Sequence, residues 1–263
     1  MKIVVLIKQV PDTTEVKLDK KTGNLIREGV DSIVNPDDRQ ALELALQLKD
    51  DCQAMVTAVS MGPPQAVDVL SEALGMGCDA AVLLTDRAFA GADTWATSTT
   101  LGKAIEKIGD FDLILCGYQA IDGDTAQTGP QIAEYLGLPQ ACYVDNIENV
   151  EAGKITVTRR NDEGYERLFL TLPALLTVSK ITVAPRYPMM GNLIDAGCED
   201  AAIQIWNAAD IGALNSELGM EGSLTQVVKT FSPKTKRAGE LLEGDVPEMV
   251  SELLGRVRQA HLI

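Results

Sequence analysis

Residues 111–136 read FDLILCGYQAIDGDTAQTGPQIAEYL, and three kinds of sequence meet in them. Positions 112–117 form a nearly continuous apolar run, the composition of a strand covered on both faces. Gly129, Ile132, Ala133 and Leu136 follow at helical spacing. Positions 120–129, between them, hold two Asp, two Thr and two Gly, with no Lys, Arg or His. Strand, polar loop and helix in that order is the repeating unit of a parallel α/β sheet.

The same unit recurs upstream. Apolar runs at 2–10 (KIVVLIKQV), 54–61 (AMVTAVSM) and 80–85 (AAVLLT) read as further buried strands. Helical spacing links Ala41, Leu44, Ala45 and Leu48, and again Ala66, Val69, Leu70 and Ala73. The expected fold is a doubly wound, Rossmann-like parallel sheet. A Thr-Gly turn inside residues 16–29 predicts a surface hairpin.

After residue 140 the pattern changes. KITVTRR (154–160) and ERLFLTL (166–172) flank the turn NDEG, and ALLTVSK follows, which predicts an antiparallel meander on the sheet edge. Residues 186–232 read as an extended arm, and Val250, Leu253, Leu254 and Val257 share one face of a last helix. The expected division is a nucleotide-binding domain over 1–185 and a C-terminal recognition loop, arm and helix over 186–263.

Composition narrows the function. The net charge of −15 argues against free nucleic-acid binding or an anionic membrane, both of which need clustered Lys and Arg. The most apolar stretch, LFLTLPALLTV, is too short to span a bilayer, and the N-terminus reads as a strand. Five cysteines, an odd number with no CxxC, argue for reduced thiols and a cytoplasmic location. The single His261 lies at the C-terminus, so a Ser–His or Cys–His nucleophile is not expected and redox chemistry would need an organic cofactor.

Ligands of such sheets bind at the carboxyl ends of the strands. The loops there read KQVPDT, SMGPPQ, TDRAFAGADT and GYQAIDGDTAQTG, with VNPDD before the first long helix. Neither GxGxxG nor a P-loop is present. Asp124 or Thr125 is expected to cap the following helix, whose free amides can hold a phosphate without a cation. The hydroxyls of Thr125 and Thr128 and the amide of Gln127 add neutral donors, and Gly123 and Gly129 permit close approach. Plainer readings stand beside these. Asp122 and Asp124 are also ordinary turn and cap residues, the Asn35–Asp38 run is an ordinary helix start, and Met189 and Met190 are core filler or a contact surface.

VLIKQVPDT, VNPDD, VSMGPPQA, DRAFAGADTWATS and CGYQAIDGDTAQTGPQIAEYLGLPQ, continued by LPALLTVSK, PRYPMMGNLIDA and QVVKTFSPK, together resemble the electron-transfer flavoprotein beta subunits. The resemblance implies an alpha-subunit partner carrying a flavin that serves a flavin dehydrogenase. It also implies an adenine nucleotide in this chain: AMP in ordinary members, FAD in electron-bifurcating members, where hydride is exchanged with NAD(H) and electrons are shared with ferredoxin. Its nucleotide contacts fall on Leu6, Asn35, Pro36, Asp37, Asp38, Met61, Ala120, Ile121, Asp122, Gly123, Asp124, Thr125, Ala126, Gln127, Thr128, Gly129, Pro130 and Gln131. Asp93, Thr94 and Thr97 fall near the flavin, and Met190 on the residue that anchors the dehydrogenase. The Asp pair after Asn35-Pro36, the 86–98 loop and Gly123-Asp124-Thr125-Ala126 resemble the bifurcating branch, hence FAD in a heterodimer. Tyr118 stands where the family usually has a base, and DAGCED where it often has lysines, which points to a dedicated dehydrogenase acting on an enoyl-CoA or 2-hydroxy acid.

Overall fold

A computed structural model describes residues 1–12, 31–151, 153–179, 184–198, 203–228 and 239–263. The hairpin expected at 16–29 lies outside the described residues. The first half of the chain runs β1 (Lys2–Leu6), β2 (Gln9–Pro11), β3 (Ser32–Val34), α1 (Pro36–Cys52), β4 (Met55–Met61), α2 (Val67–Met76), β5 (Ala80–Leu84), α3 (Thr94–Ile108), β6 (Leu113–Gly117) and α4 (Thr128–Leu136). The second half adds β7 (Gln140–Glu151), β8 (Lys154–Asn161), β9 (Gly164–Thr171), β10 (Ala174–Val178), α5 (Met190–Ala196), β11 (Ile203–Trp206), α6 (Gly219–Gly222) and α7 (Val246–Gln259).

One nine-stranded sheet has the order β11-β5-β4-β1-β6-β10-β7-β8-β9, and β2 pairs with β3 apart from it. Pairings from β11 to β7 are all parallel, while β7, β8 and β9 are antiparallel. Alternate residues of β1 feed two cores. Ile3 and Val5 pack with Leu42, Leu46 and Leu70 of α1 and α2. Val4 and Leu6 pack with Ile105 and Ile132 of α3 and α4 on the opposite face. The doubly wound parallel sheet expected from the strand–helix alternation is therefore present.

Three elements depart from the expected pattern. ALLTVSK is not part of the antiparallel meander: β10 lies inside the sheet, parallel to both β6 and β7. Every one of its residues is buried, which is why it reads as a continuous apolar run. The missing meander strand is β7, a polar segment with two register shifts against β8 that blur its alternation. The arm expected from 186 instead contributes α5 and then β11, which is hydrogen-bonded to β5. Accordingly the first compact unit runs from Met1 to Val227 and the second from Val228 to Ile263. In the second unit, α7 is capped by Asp245, which accepts from the Glu248 amide, and the side chains of Val250, Leu253 and Leu254 are exposed.

The chain beyond 185 is tied down by Arg186. Its main-chain N and Nε donate to Glu43 Oε2 at 2.9 and 3.0 Å, and its Nη2 donates to Glu43 Oε1 at 3.1 Å and Asp50 Oδ2 at 2.8 Å. Glu43 is 3% exposed; burial alone would raise its carboxyl, but the bonds from Arg186 hold it below the ordinary range. Arg186→Ala strands that carboxylate and is expected to lower unfolding free energy by about 2 kcal/mol, with Glu43→Gln in the same chain recovering about half. Urea melts of the single and double variants measure both; equal losses in the two would refute the coupling.

Candidate functional site

The sheet order reverses between β1 and β6: β1 leads through α1 to β4 on one side, and β6 leads through α4 to the strands on the other. Such a reversal opens a crevice at the strands' carboxyl ends. Asn35 and Asp38 build its floor. Asn35 is fully buried; its Nδ2 donates to Gln119 O at 2.8 Å, and its Oδ1 accepts from Ile121 N at 3.1 Å. Asp38 Oδ2 accepts from Lys8 N at 2.8 Å and Oδ1 from Gly117 N at 2.9 Å, joining the ends of β1 and β6. Burial pushes the Asp38 carboxyl up to about 7, against the pull of those hydrogen bonds. Asp37 is half-buried, and burial and the nearby Asp124 carboxylate both raise it.

The loop after β6 folds back on itself. The amides of Gly123 and Asp124 both donate to Ala120 O, at 3.1 and 2.8 Å. Asp124 (φ 50°) and Ala126 (φ 53°) are left-handed, a conformation that turns successive N–H groups toward one side. Among the described residues, no acceptor meets the main-chain N–H of Thr125, Ala126, Gln127, Thr128 or Gly129. The helix begins later than expected. Its N-cap is Gln127, with no side-chain cap, so neither Asp124 nor Thr125 fills that place; both lie too far upstream once the left-handed turn is inserted. The first-turn amides are thus left free for a ligand, and Pro130, in the same turn, has none to offer.

A second helix N-terminus stands beside it. Thr94 Oγ1 donates to Gln127 Oε1 at 3.0 Å and accepts from Gln131 Nε2 at 3.3 Å, and Ser98 Oγ lies 3.0 Å from Gln131 Oε1. This lattice fastens the first turns of α3 and α4 side by side and leaves Gln127 Nε2 as a donor. Thr97 lies half-buried in the same turn of α3. Asp93 caps α3 by accepting from Ala96 N at 3.0 Å, and its other oxygen accepts from Thr225 N and Oγ1, both at 2.9 Å. Burial opposes ionisation of Asp93, but these bonds hold its carboxyl below the ordinary range.

The glycines divide. A Cβ on Gly123 would meet nothing within 4 Å, so the approach over it is open. A Cβ on Gly129 would lie 2.6 Å from Thr177 Cγ2 and 2.9 Å from Cys116 Sγ, so the absence of a side chain here seats α4 on the sheet. Leu6 is a core residue, 6% exposed, and Met61 ends β4 at the same sheet edge, half-exposed. Ile121 is exposed on the loop. Met190 is not in the crevice: it is 72% exposed at the start of α5, which rests on Gly75 near the far end of α2.

Lys8 was not among the expected site residues, because nothing local marks it. Its Nζ reaches both oxygens of Asp122, at 2.7 and 2.9 Å. Tyr118 lies with its ring centroid 5.5 Å from that of Tyr143; burial, Asp37 and Asp124 raise its phenol. No metal-holding cluster occurs among the described residues, and burial pushes the Cys78 thiol up to about 12 and the Cys116 thiol up as well.

Residues 22–210 match the electron transfer flavoprotein domain family. Over the full length of both chains, the protein is 51% identical to the electron transfer flavoprotein subunit beta of Thermoanaerobacterium thermosaccharolyticum. It is 49% identical to subunit CarD of the caffeyl-CoA reductase-Etf complex of Acetobacterium woodii, again with full coverage of both. It is 40% identical, end to end, to the acryloyl-CoA reductase electron transfer subunit gamma of Anaerotignum propionicum.

Proposed function

The chain belongs to the electron transfer flavoprotein family, among its beta subunits, and on that premise we propose that it holds FAD in the crevice between β1 and β6 as one half of a heterodimer with an alpha subunit. The supporting observation is the row of free amides from Thr125 to Gly129, set between the N-termini of α3 and α4. Backbone donors and helix dipoles suit a diphosphate, and the absence of a cation in the row suits a cofactor that stays bound by many neutral contacts. Asn35 and Asp38 keep the crevice open by holding the loop ends; Thr94, Gln127 and Gln131 present polar groups at its wall.

When bound, the flavin supplies hydride exchange with NAD(H) and electron transfer toward ferredoxin and the alpha-subunit flavin. The chain's own residues bind and orient it. Met190, exposed at the start of α5 beside Met189 and on the same helix as the exposed Ile194, is the contact for a flavin dehydrogenase. Two relatives are, by their names, a subunit of a caffeyl-CoA reductase-Etf complex and an electron transfer subunit of an acryloyl-CoA reductase, and both of those CoA esters are 2-enoyl thioesters. This supports a partner of the enoyl-CoA reductase class in a cytoplasmic complex. No helix among the described residues is long and apolar enough to cross a membrane.

Nucleotide released by denaturing the purified heterodimer tests the reading. Two FAD per heterodimer with negligible AMP is the expected result. One FAD with one AMP would make the chain a structural scaffold for a single-flavin carrier, and the NAD(H) and ferredoxin assignments would fall.

A further inference from the structure

The loop that carries the free amides also carries a carboxylate with only 5% of its side chain exposed, Asp122. A bare charge there would repel a phosphate and would be costly to bury. Lys8 answers it in a two-pronged contact of 2.7 and 2.9 Å. Lys8 is itself fixed at its main chain, where its N donates to Asp38 and its O accepts from Asn35 N at 2.9 Å. Asn35 grips the near end of the loop at Gln119 and Ile121, and the Lys8–Asp122 pair grips it one residue further on.

We propose that Lys8 is the positioning residue of the anion loop: its ammonium cancels Asp122 and fixes the loop, and it does not bind the anion itself. The inference rests on the nucleotide reading of this crevice. With Lys8 and Asp122 summing to zero, the donors that the described part of the loop offers a phosphate are neutral, and its affinity is expected to depend weakly on salt. The more obvious role for a cation at this edge, a direct phosphate contact, predicts the opposite salt behaviour.

ADP, the portion common to FAD and its analogues, is the probe. It is titrated calorimetrically, at low and high salt, into the full-length chain with its alpha subunit after removal of bound nucleotide. Lys8→Met is expected to weaken ADP at least tenfold, because Asp122 is left unpaired beneath the loop. Lys8→Met with Asp122→Asn is expected to return to within about threefold of the parent, with an unchanged salt slope, since the pair is then neutral again. A double variant as weak as Lys8→Met, with a shallower salt slope than the parent, would show a direct phosphate contact and overturn the proposal. A single variant that binds like the parent would overturn it also. Thermal melts of each variant exclude unfolding as the cause, since rescue by a second substitution cannot come from a misfolded chain. If the parent binds neither ADP nor FAD, the nucleotide reading fails first, and the proposal with it.

Discussion

Gly117→Ala is expected to cost about 4 kcal/mol of unfolding free energy and to leave less than a tenth of the bound nucleotide. Gly117 ends β6 directly under the start of α1. A Cβ there would lie 2.5 Å from Asp38 Oδ1, 2.6 Å from the Asp37 carbonyl carbon and 2.6 Å from Asp38 N. Two of those three atoms are main chain, so no rotamer change relieves the clash and α1 must lift from the sheet. That movement also breaks the Gly117 N to Asp38 bond of 2.9 Å, and with it the tie between β1 and β6. Gly123→Ala is the control. With nothing within 4 Å of the added Cβ, it is expected to change stability by less than about 0.5 kcal/mol. Denaturant midpoints and released nucleotide for the two variants decide the matter; equal behaviour would mean that the crevice floor does not depend on this approach.

Asp38→Asn is expected to change the pH dependence of stability more than any other single substitution in the crevice. The folded-state carboxyl titrates at about 7, raised by burial from an ordinary value of 3.8. Between those two values the folded chain holds the proton and the unfolded chain releases it. The contribution of Asp38 is therefore fully present below about pH 4 and is lost as pH rises through 7. Its span is on the order of 4 kcal/mol. Asn cannot titrate, and it turns an amide toward one of the two N–H groups that Asp38 accepts, a constant loss of about 1–2 kcal/mol. At pH 4–5 the parent should thus be the more stable of the two. The gap should narrow or reverse by pH 8. Urea unfolding of both chains at several pH values measures it, and a gap that stays constant from pH 4 to 8 would contradict a buried, raised carboxyl at this position.

Periodicity carried the reading of β1, β4, β5 and β6 and of α1, α2 and α4, because strands covered on both faces and helices with one buried face leave local marks. It misplaced β10 and passed over β7 for one reason. Strand neighbours are chosen by the sheet as a whole, and an apolar run does not announce which side its partner lies on. β11 was hidden in the same way, since only pairing with β5 makes a strand of it. In the site, Asn35–Asp38 and the 120–131 loop were legible as turn and helix-start chemistry beside strand ends. What they do was less so. Asp38 ties two strands, Asp93 caps α3 and holds Thr225, and Gly129 seats a helix.

By itself the sequence determined the α/β class, the loops gathered at the carboxyl edge of the sheet, and the neutral hydrogen-bond donors of a loop with no cation of its own. Each is a property of neighbouring residues. Only the tertiary structure decided that Asp122 is answered by Lys8, 114 residues away, and that the first turns of α3 and α4 stand together through Thr94 and Gln127, 33 residues apart. Those pairings depend on strand order and on which face each helix covers, and the chain acquires both only on folding.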